Sequence, residues 1–370
     1  MIVVTINAGS SSMRLAAYAI EQRGRLQPLE TRRFARGETP AARALARLLP
    51  DARHAAVAAV SHRIVHGGER FTAACRVDAR VEAEIRRLGA LAPLHHPVAL
   101  EWLRAARAQW PHASQIAVFD TAFFSTLPEV ARNYALPRAL TRRYGLRRYG
   151  FHGLAHEAMW RHWRTLRPSV RGGGRVISLQ LGAGCSVAAI DRGRAVDTSM
   201  GYSPLEGLVM ATRSGDVDPG LLLHLQRRAR LSPARLERLL NAESGLLGVS
   251  GASADMRLLL RARKPAARLA VDLYCYRARK YVGSYLAALG GASAILVGGG
   301  VGEHAAEVRE RILDRFEWAG IVLDRGANRR AVGTEARISR AASATEVWVI
   351  PVDESRLLAE QALQAKGAVR

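Results

Sequence analysis

The chain has 370 residues, 49% of them apolar and 6% aromatic, which excludes a disordered chain and exceeds what one hydrophobic core usually organises, so two domains are expected. Its formal net charge is +23, yet only three of the 55 basic residues are lysines (Lys264, Lys280, Lys366), and the arginines run along the whole length rather than gathering in a tail or stripe. That spread reads as a general arginine bias attractive to small anionic substrates, in preference to a nucleic-acid surface.

In chain order, "MIVVTIN" is a buried-looking strand leading into "NAGSSSMR", residues 7 to 14, where small residues lie between an apolar run and a lone arginine; alone this is either a turn or a phosphate cradle. "SHRIVHGGE" sets Arg63 in a strand otherwise suited to burial, flanked by His62 and His66. "VALEWLRAARAQW" has helical spacing, and "QIAVFD" brings Asp120 to the point where a buried strand emerges, the end at which α/β sheets gather ligands. "YGFHG" places His152 between an aromatic residue and a glycine. "RVISLQL" then runs into a second small-residue turn, Gly182 to Ser186, and "VISLQLGAGCSVAAIDRG" echoes "VVTINAGSSSMRLAAYAI" about half a chain earlier, which supports two halves built alike.

Further on, "EGLVMATRSGDVDPG" carries Arg213, Asp216 and Asp218 in a polar loop. In "AARLAVDLYCYRARKYVGSYLAAL" the positions Leu269, Leu273, Tyr276 and Lys280 with Tyr281 follow helical spacing and read as the packed side, with Cys275 a packed residue rather than a ligand. "ASAILVGGG" ends in a third glycine turn, Gly298 to Gly302, and "EVWVIPVD" is the last strand. Strands alternating with helices indicate α/β layers, and with no Pro/Ser linker between the halves they are expected to pack around a cleft. Cys75, Cys185 and Cys275 lack any CxxC pairing, so neither a disulfide framework nor a structural zinc site is indicated and a cytoplasmic protein is expected. No apolar run approaches the ~20 residues that span a bilayer, and the strand at the start leaves no room for a leader, so no membrane partner is expected.

Glycine and serine turns let backbone N–H groups approach an anion closely. None of the three is a Walker A loop or a GxGxxG fingerprint, but three in an α/β chain together favour a nucleotide. A buried arginine is costly unless an anion accompanies it, so Arg63 and Arg213 are each either half of a structural pair or part of a site. The histidines form no HExxH spacing, which argues against a tightly held zinc.

Taken together, "NAGSSSMR", "SHRIVHGGER", "LAPLHHP", "VFDTAFFSTLPE", "RRYGFHG", "LGAGCSVAAIDRGRAVDTSMGYSPLEGLVMATRSGDVDPG", "SGLLGVSGASADMR", "LVGGGVGEHAAEVR" and "VIPVDES" closely resemble the acetate kinase family, in the superfamily of acetate and sugar kinases, heat-shock chaperone ATPases and actin. The resemblance implies an α/β chain of two duplicated actin-like ATPase (ribonuclease H-like) domains around a central cleft. The N-terminal domain would be 1–124 plus 357–370, with a returning C-terminal helix, the nucleotide-binding domain 125–356, and the assembly a homodimer. It further implies reversible transfer of a phosphoryl group from ATP to acetate, with Mg2+ or Mn2+, giving acetyl phosphate and ADP; propionate or another short-chain acid is the near alternative and a nucleotide-binding sensor the distant one.

Residue by residue, Asn7 and Glu354 would lie near the metal, with Ser10 directed at the phosphates. Arg63, Asp120, His152 and Arg213 would be catalytic, and Arg63 with Val65, Leu94, Phe151 and Pro204 would hold the acid. Arg14 stands where the family usually has lysine near the nucleotide phosphates. Nucleotide contacts are implied for Gln180, Leu181, Gly182, Ala183 and Gly184, for Asp255, Met256 and Arg257, and for Gly300, Val301, Gly302, Glu303 and His304. Departures from the family are Gln180 for a histidine, Ala183 for an asparagine, His304 and His96 where "GENS" and "LHNP" are usual, and Phe124 for a polar residue; they bear on nucleotide affinity and base preference. A carboxylate acceptor is already ionised at neutral pH, so the chemistry asks for positioning and charge stabilisation more than for a strong base, and Asp120 is assigned to orienting groups or the metal shell.

Overall fold

The computed structural model describes residues 1–9, 12–35, 37–49, 56–93 and 95–367. Its twelve described strands form two six-stranded sheets. The first contains β1 (Ile2–Ala8), β2 (Ser12–Ile20), β3 (Leu26–Ala35), β4 (Val57–Ile64), β5 (Cys75–Arg76) and β6 (Ser114–Phe119), in the order β3-β2-β1-β4-β6-β5. The second contains β7 (Arg175–Leu181), β8 (Cys185–Asp191), β9 (Arg194–Thr198), β10 (Ala294–Gly298), β11 (Ala336–Arg337) and β12 (Glu346–Val349), in the order β9-β8-β7-β10-β12-β11. Polarity matches position for position: β1 pairs antiparallel with β2 and parallel with β4, as β7 does with β8 and β10, and the outermost short strands β5 and β11 are both antiparallel. The echo between the two sequence hairpins is therefore one part of a duplicated sheet.

The chain divides into two compact units: residues 1–125, 151–158 and 353–370 form the first, and residues 126–150 and 159–352 the second. In the first, the period-2 pleat explains both faces of β1. Ile2, Val4, Ile6 and Ala8 pack with Trp102 and Ala106 of the helix His96–Gln109 and with Trp110 at its end, while Val3 packs with Leu357, Leu358 and Ala362 of the last helix, Glu354–Gly367. A register shift between Ile2 and Val3 leaves Ala59 on that second face of β4, followed by Ser61, whose hydroxyl donates to the Leu358 carbonyl at 2.9 Å. On β6, Ile116 and Val118 take the same face. Each buried Val, Leu or Ile contributes roughly 1.5–3 kcal/mol, so a strand buried on both faces is strongly held in register.

In the second unit, the 25-residue helix Pro265–Leu289 packs against β7, β8 and the helices Gly245–Ser250 and Ala306–Leu313, burying Ala267, Ala270, Val271, Tyr274, Cys275, Ala278 and Val282. Cys275 is buried, as its surroundings in sequence suggested, but the packed side is not the expected one: Leu269, Leu273 and Tyr276 are exposed. Both that stripe and the buried one have helical spacing. The three cysteines are free thiols. Among the described residues no helix is long and apolar enough to cross a membrane.

Candidate active site

In the first unit, the pleat that directs Val3, Ala59 and Val118 toward the last helix also decides what stands at the carboxyl ends of three adjacent parallel strands. Continuing by twos gives Asn7 on β1, Arg63 on β4 and Asp120 just beyond β6, all on the face to which the last helix brings Glu354. Carboxyl ends of parallel strands are where α/β sheets place ligands. The four side chains are linked. Arg63 Nε donates to both Asp120 oxygens at 3.0 and 3.1 Å, and its Nη2 donates to Asp120 Oδ2 at 2.5 Å. Arg63 Nη1 donates to Asn7 Oδ1 at 3.1 Å, and Asn7 Nδ2 donates to Glu354 Oε2 at 2.5 Å.

Burial opposes charge on Arg63, but Asp120 and Glu354 outweigh it and hold the guanidinium above its ordinary range. For Asp120, burial raises the carboxyl, Arg63 works the other way through charge and hydrogen bonds, and Glu354 adds to the rise. The His152 backbone N–H also donates to Asp120. His152 itself has φ +59°, a conformation costly for a bulky side chain and often found at functional sites. The next residue must be glycine, because a Cβ on Gly153 would lie 2.0 Å from the Asp120 carbonyl oxygen. Strand end, aspartate and histidine are thus locked together by backbone contact.

These residues also bear on whether a divalent cation fits. Asp120 and Glu354 set two carboxylates against one guanidinium, leaving surplus negative charge, and with the Asn7 amide oxygen the donors are all hard oxygens. Among the described residues no group of three or more His, Cys, Asp and Glu forms a cage. A site of few protein ligands completed by phosphates and water is magnesium's usual arrangement, so the residues fit it. Arg14 stands directly across the β1–β2 hairpin from Asn7 and is half-buried. Val65 and Phe151 are buried; Leu94 and Ser10 lie outside the described residues.

The second unit carries the other expected residues on different terms. Arg213 is half-buried, and its Nη1 donates to the Pro204 carbonyl at 3.2 Å and lies 3.8 Å from Met210 Sδ. It has no carboxylate partner among the described residues, and burial lowers its pKa. Only its Nη1 is taken up by these acceptors, so the guanidinium has donors to spare for an anion. The loop that carries it is braced by Asp216 and by three residues the sequence reading did not single out, Arg148, Tyr134 and Glu206. Arg148 Nη2 pairs with Glu206 Oε1 at 2.6 Å, its Nη1 donates to the carbonyls of Thr198 and Met200, and Tyr134 donates its hydroxyl to Glu206. Asp216, half-buried, accepts from Gly207 N–H at 2.7 Å and from the Tyr281 hydroxyl at 2.8 Å. A signal was available: Arg148 and Glu206 lie within the quoted "RRYGFHG" and "SPLEG" stretches.

The remaining nucleotide candidates separate into three places. Gln180 and Leu181 end β7, and Gly182, Ala183 and Gly184 form the hairpin turn into β8, with Ala183 exposed. Gly298 to Gly302 is not the expected turn: β10 ends at Gly298 and a short helix, Gly299–His304, begins at once. Gly299 has φ +78°, and its Cβ would meet the Leu181 carbonyl at 2.6 Å, whereas Gly300 opens on free space. Glu303 turns inward, its Oε1 accepting from Gly299 and Val352 N–H groups at 2.9 and 3.2 Å, so it acts as a structural clamp. His304 is exposed, with Nδ1 3.1 Å from the Gly300 carbonyl. Asp255 caps the helix Met256–Arg261, and the Arg257 side chain holds its carboxyl down to about 2; Met256 is buried.

The chain's relatives give this arrangement a family. The model of the acetokinase family matches residues 28–360. The acetate kinase of Solibacter usitatus is 45% identical over 83% of this chain and 76% of its own. Among solved structures, the acetate kinase of Porphyromonas gingivalis superposes with a TM-score of 0.89 at 36% identity, covering 99% of each chain. A propionate kinase of Francisella tularensis gives 0.88 at 30% identity, covering 98% of this chain and 99% of its own. Both sheets are accordingly those of the actin-like ATPase fold. On its sequence, its duplicated sheets and the residues at their strand ends, the chain belongs to the acetokinase family, phosphotransferases that use ATP and a carboxyl group as acceptor.

Proposed function

We propose that the chain transfers the γ-phosphoryl group of ATP to acetate, reversibly and by direct in-line displacement, giving acetyl phosphate and ADP. The observation that carries this reading is Arg213, a desolvated guanidinium with no carboxylate partner among the described residues, whereas Arg63 is paired with Asp120 and the buried Arg309 is held by Asn328 and by the carbonyls of Gly302, Glu303 and Ala331. Acetate arrives ionised, so one of its oxygens bonds to the γ phosphorus while the bond to the β–γ bridging oxygen breaks and leaves its electron pair on ADP. Arg213 and Arg63 hold the carboxylate and the equatorial phosphoryl oxygens, for which a planar fork is suited. His152 donates to the phosphoryl group, and Asp120 keeps Arg63 oriented rather than removing a proton. Val65, Leu94, Phe151 and Pro204 accept the methyl group.

The nucleotide lies by this reading against Gln180 to Gly184, Asp255 to Arg257 and Gly300 to His304, with Arg14 near the phosphates. Asn7 and Glu354 would hold Mg2+, or Mn2+ in its place, with Asp120 in the shell around it, and the cation would offset the charge of the transferring phosphoryl group. The protein works in the cytoplasm as a homodimer; the exposed stripe Leu269, Leu273 and Tyr276 supports a partner surface. Propionate is the second reading, favoured by the similarity to the Francisella propionate kinase and by the small cost of one methylene in an apolar pocket, ~1–3 kcal/mol.

A hydroxamate assay for acyl phosphate with ATP, magnesium and the acids from formate to butyrate tests both. Highest kcat/KM with acetate is the expected result. Highest with propionate replaces the first reading by the second, and no product from any acid despite measurable ATP binding overturns both.

A further inference from the structure

Beyond β4 the chain turns through Val65, His66, Gly67 and Gly68 under unusual control: three consecutive N–H groups are each met by a side chain. His96 Nε2 accepts from the His66 N–H at 3.2 Å, Thr121 Oγ1 from the Gly67 N–H at 2.9 Å, and His66 Nδ1 from the Gly68 N–H at 2.9 Å. The tautomers follow from the partners. The Ile85 carbonyl, 2.8 Å from His96 Nδ1, only accepts, so Nδ1 carries the proton and Nε2 is bare toward His66. His66 Nδ1 accepts, so its proton is on Nε2. The His66 ring then meets Phe151 edge-on, with centroids 5.5 Å apart.

All of these residues are buried or nearly so, and the loop has no slack. A Cβ on Gly67 would lie 2.7 Å from the Phe71 carbonyl and 3.1 Å from the Phe119 ring, and Gly68 has φ +61°. The two residues so fixed, Val65 by its backbone and Phe151 by ring contact, are two of those assigned to the acid's methyl group.

We infer that His96 and Thr121 are positioning residues for the acid: by accepting the His66 and Gly67 N–H groups they set the width of the pocket at Val65 and Phe151, and with it the preference for a short alkyl chain. This rests on the proposed reading of Val65 and Phe151. Neither residue touches the reacting atoms. A bulge of the loop by a few tenths of an ångström widens an apolar slot whose discrimination per methylene is about 10- to 200-fold when tight.

The test compares Thr121→Val, which keeps the shape and removes the acceptor, with His96→Leu and with His96→Gln, whose amide oxygen can reach the Nε2 position. In the Val and Leu variants KM for acetate rises about tenfold while kcat and KM for ATP stay within about twofold, and the acetate-to-propionate ratio of kcat/KM falls about fivefold or more. His96→Gln stays near wild type. An unchanged ratio in Thr121→Val and His96→Leu, or a loss falling equally on every acid and on ATP, overturns the inference. If His96→Leu fails to fold, Thr121→Val decides alone. Failure of the wild-type protein to phosphorylate any acid overturns the functional reading beneath it, an outcome distinct from active variants of unaltered preference.

Discussion

The two sheets share strand order and polarity yet end in different chemistry. At the carboxyl ends of the parallel strands of the first stand Asn7, Arg63 and Asp120, bonded to one another and to Glu354. At the corresponding ends of the second stand Gln180 on β7, Gly298 on β10 and Ile350 just beyond β12, neutral or without side chains. One copy of the fold presents charge at that edge, and the other presents an edge without charged side chains, which suits phosphates that bring their own charge. Duplication preserved the frame while leaving the strand-end positions free to diverge. Arg63 and Arg213 repeat the contrast in a single residue type: one has its anion built in, and the other lacks one.

Arg63→Met is expected to have the largest effect, lowering turnover ~10³-fold or more and, by leaving Asp120 buried without its counter-charge, destabilising the protein by about 3–5 kcal/mol. Arg213→Met should lose turnover on a similar scale while unfolding in urea at the same concentration as wild type or higher, since it removes an uncompensated charge. Equal destabilisation by both would break the contrast. Asp120→Asn at saturating magnesium should also be nearly inactive; near-normal transfer would remove Asp120 from the assignment.

Acid should separate the units. Burial holds His62 near 4 and His66 and His156 near 3, and lowers His96; all four belong to the first unit. Below pH 6.5 the unfolded chain takes up protons that the folded form refuses, so stability falls from about pH 6.5 toward pH 4 by about 1.4 kcal/mol per pH unit for each of His62, His66 and His156, with His96 acting in the same direction, and is flat above pH 7. Hydrogen exchange at pH 5 against pH 7 should therefore open the first unit; earlier opening of the second would contradict this. Smaller effects belong to the glycine edge. Gly299→Ala, strained at φ +78° and against the Leu181 carbonyl, should cost about 1–3 kcal/mol. Gly300→Ala meets nothing within 4 Å and should leave the urea midpoint unchanged while raising KM for ATP alone.

The strands and both hairpins were legible because apolar runs bounded by small residues have few alternatives in an α/β chain. Asp120 was legible as a residue at a strand's exit, and Arg63 as a charge in a strand otherwise apolar. What stayed hidden was pairing: nothing in "SHRIVHGGE" says that Arg63 is bound by Asp120, 57 residues later, since the register of β4 on β6 decides it. Periodicity also failed to orient the helix Pro265–Leu289, where two stripes repeat at the same interval and only tertiary packing chooses between them. His96 and Thr121 act on backbone N–H groups, and backbone partners leave no trace in residue identity. Gly298 to Gly302 misled differently, because glycines placed for close approach to Leu181 and Val297 look like glycines placed for a turn.

The last helix, Glu354–Gly367, has a consequence for synthesis. Its Leu357, Leu358, Ala359 and Ala362 complete the core containing Val3, Ala16 and Ala59, and its first residue completes the cluster at Asn7. Residues of β1 are thus sealed by residues made more than 300 positions later, after contacts in the second unit can form. During translation the amino-terminal sheet must wait on the ribosome with one face uncovered, exposed to the aggregation hazard of an unfinished core. A chain stopped just before Glu354 would hold every described strand of both sheets and still lack a closed first unit.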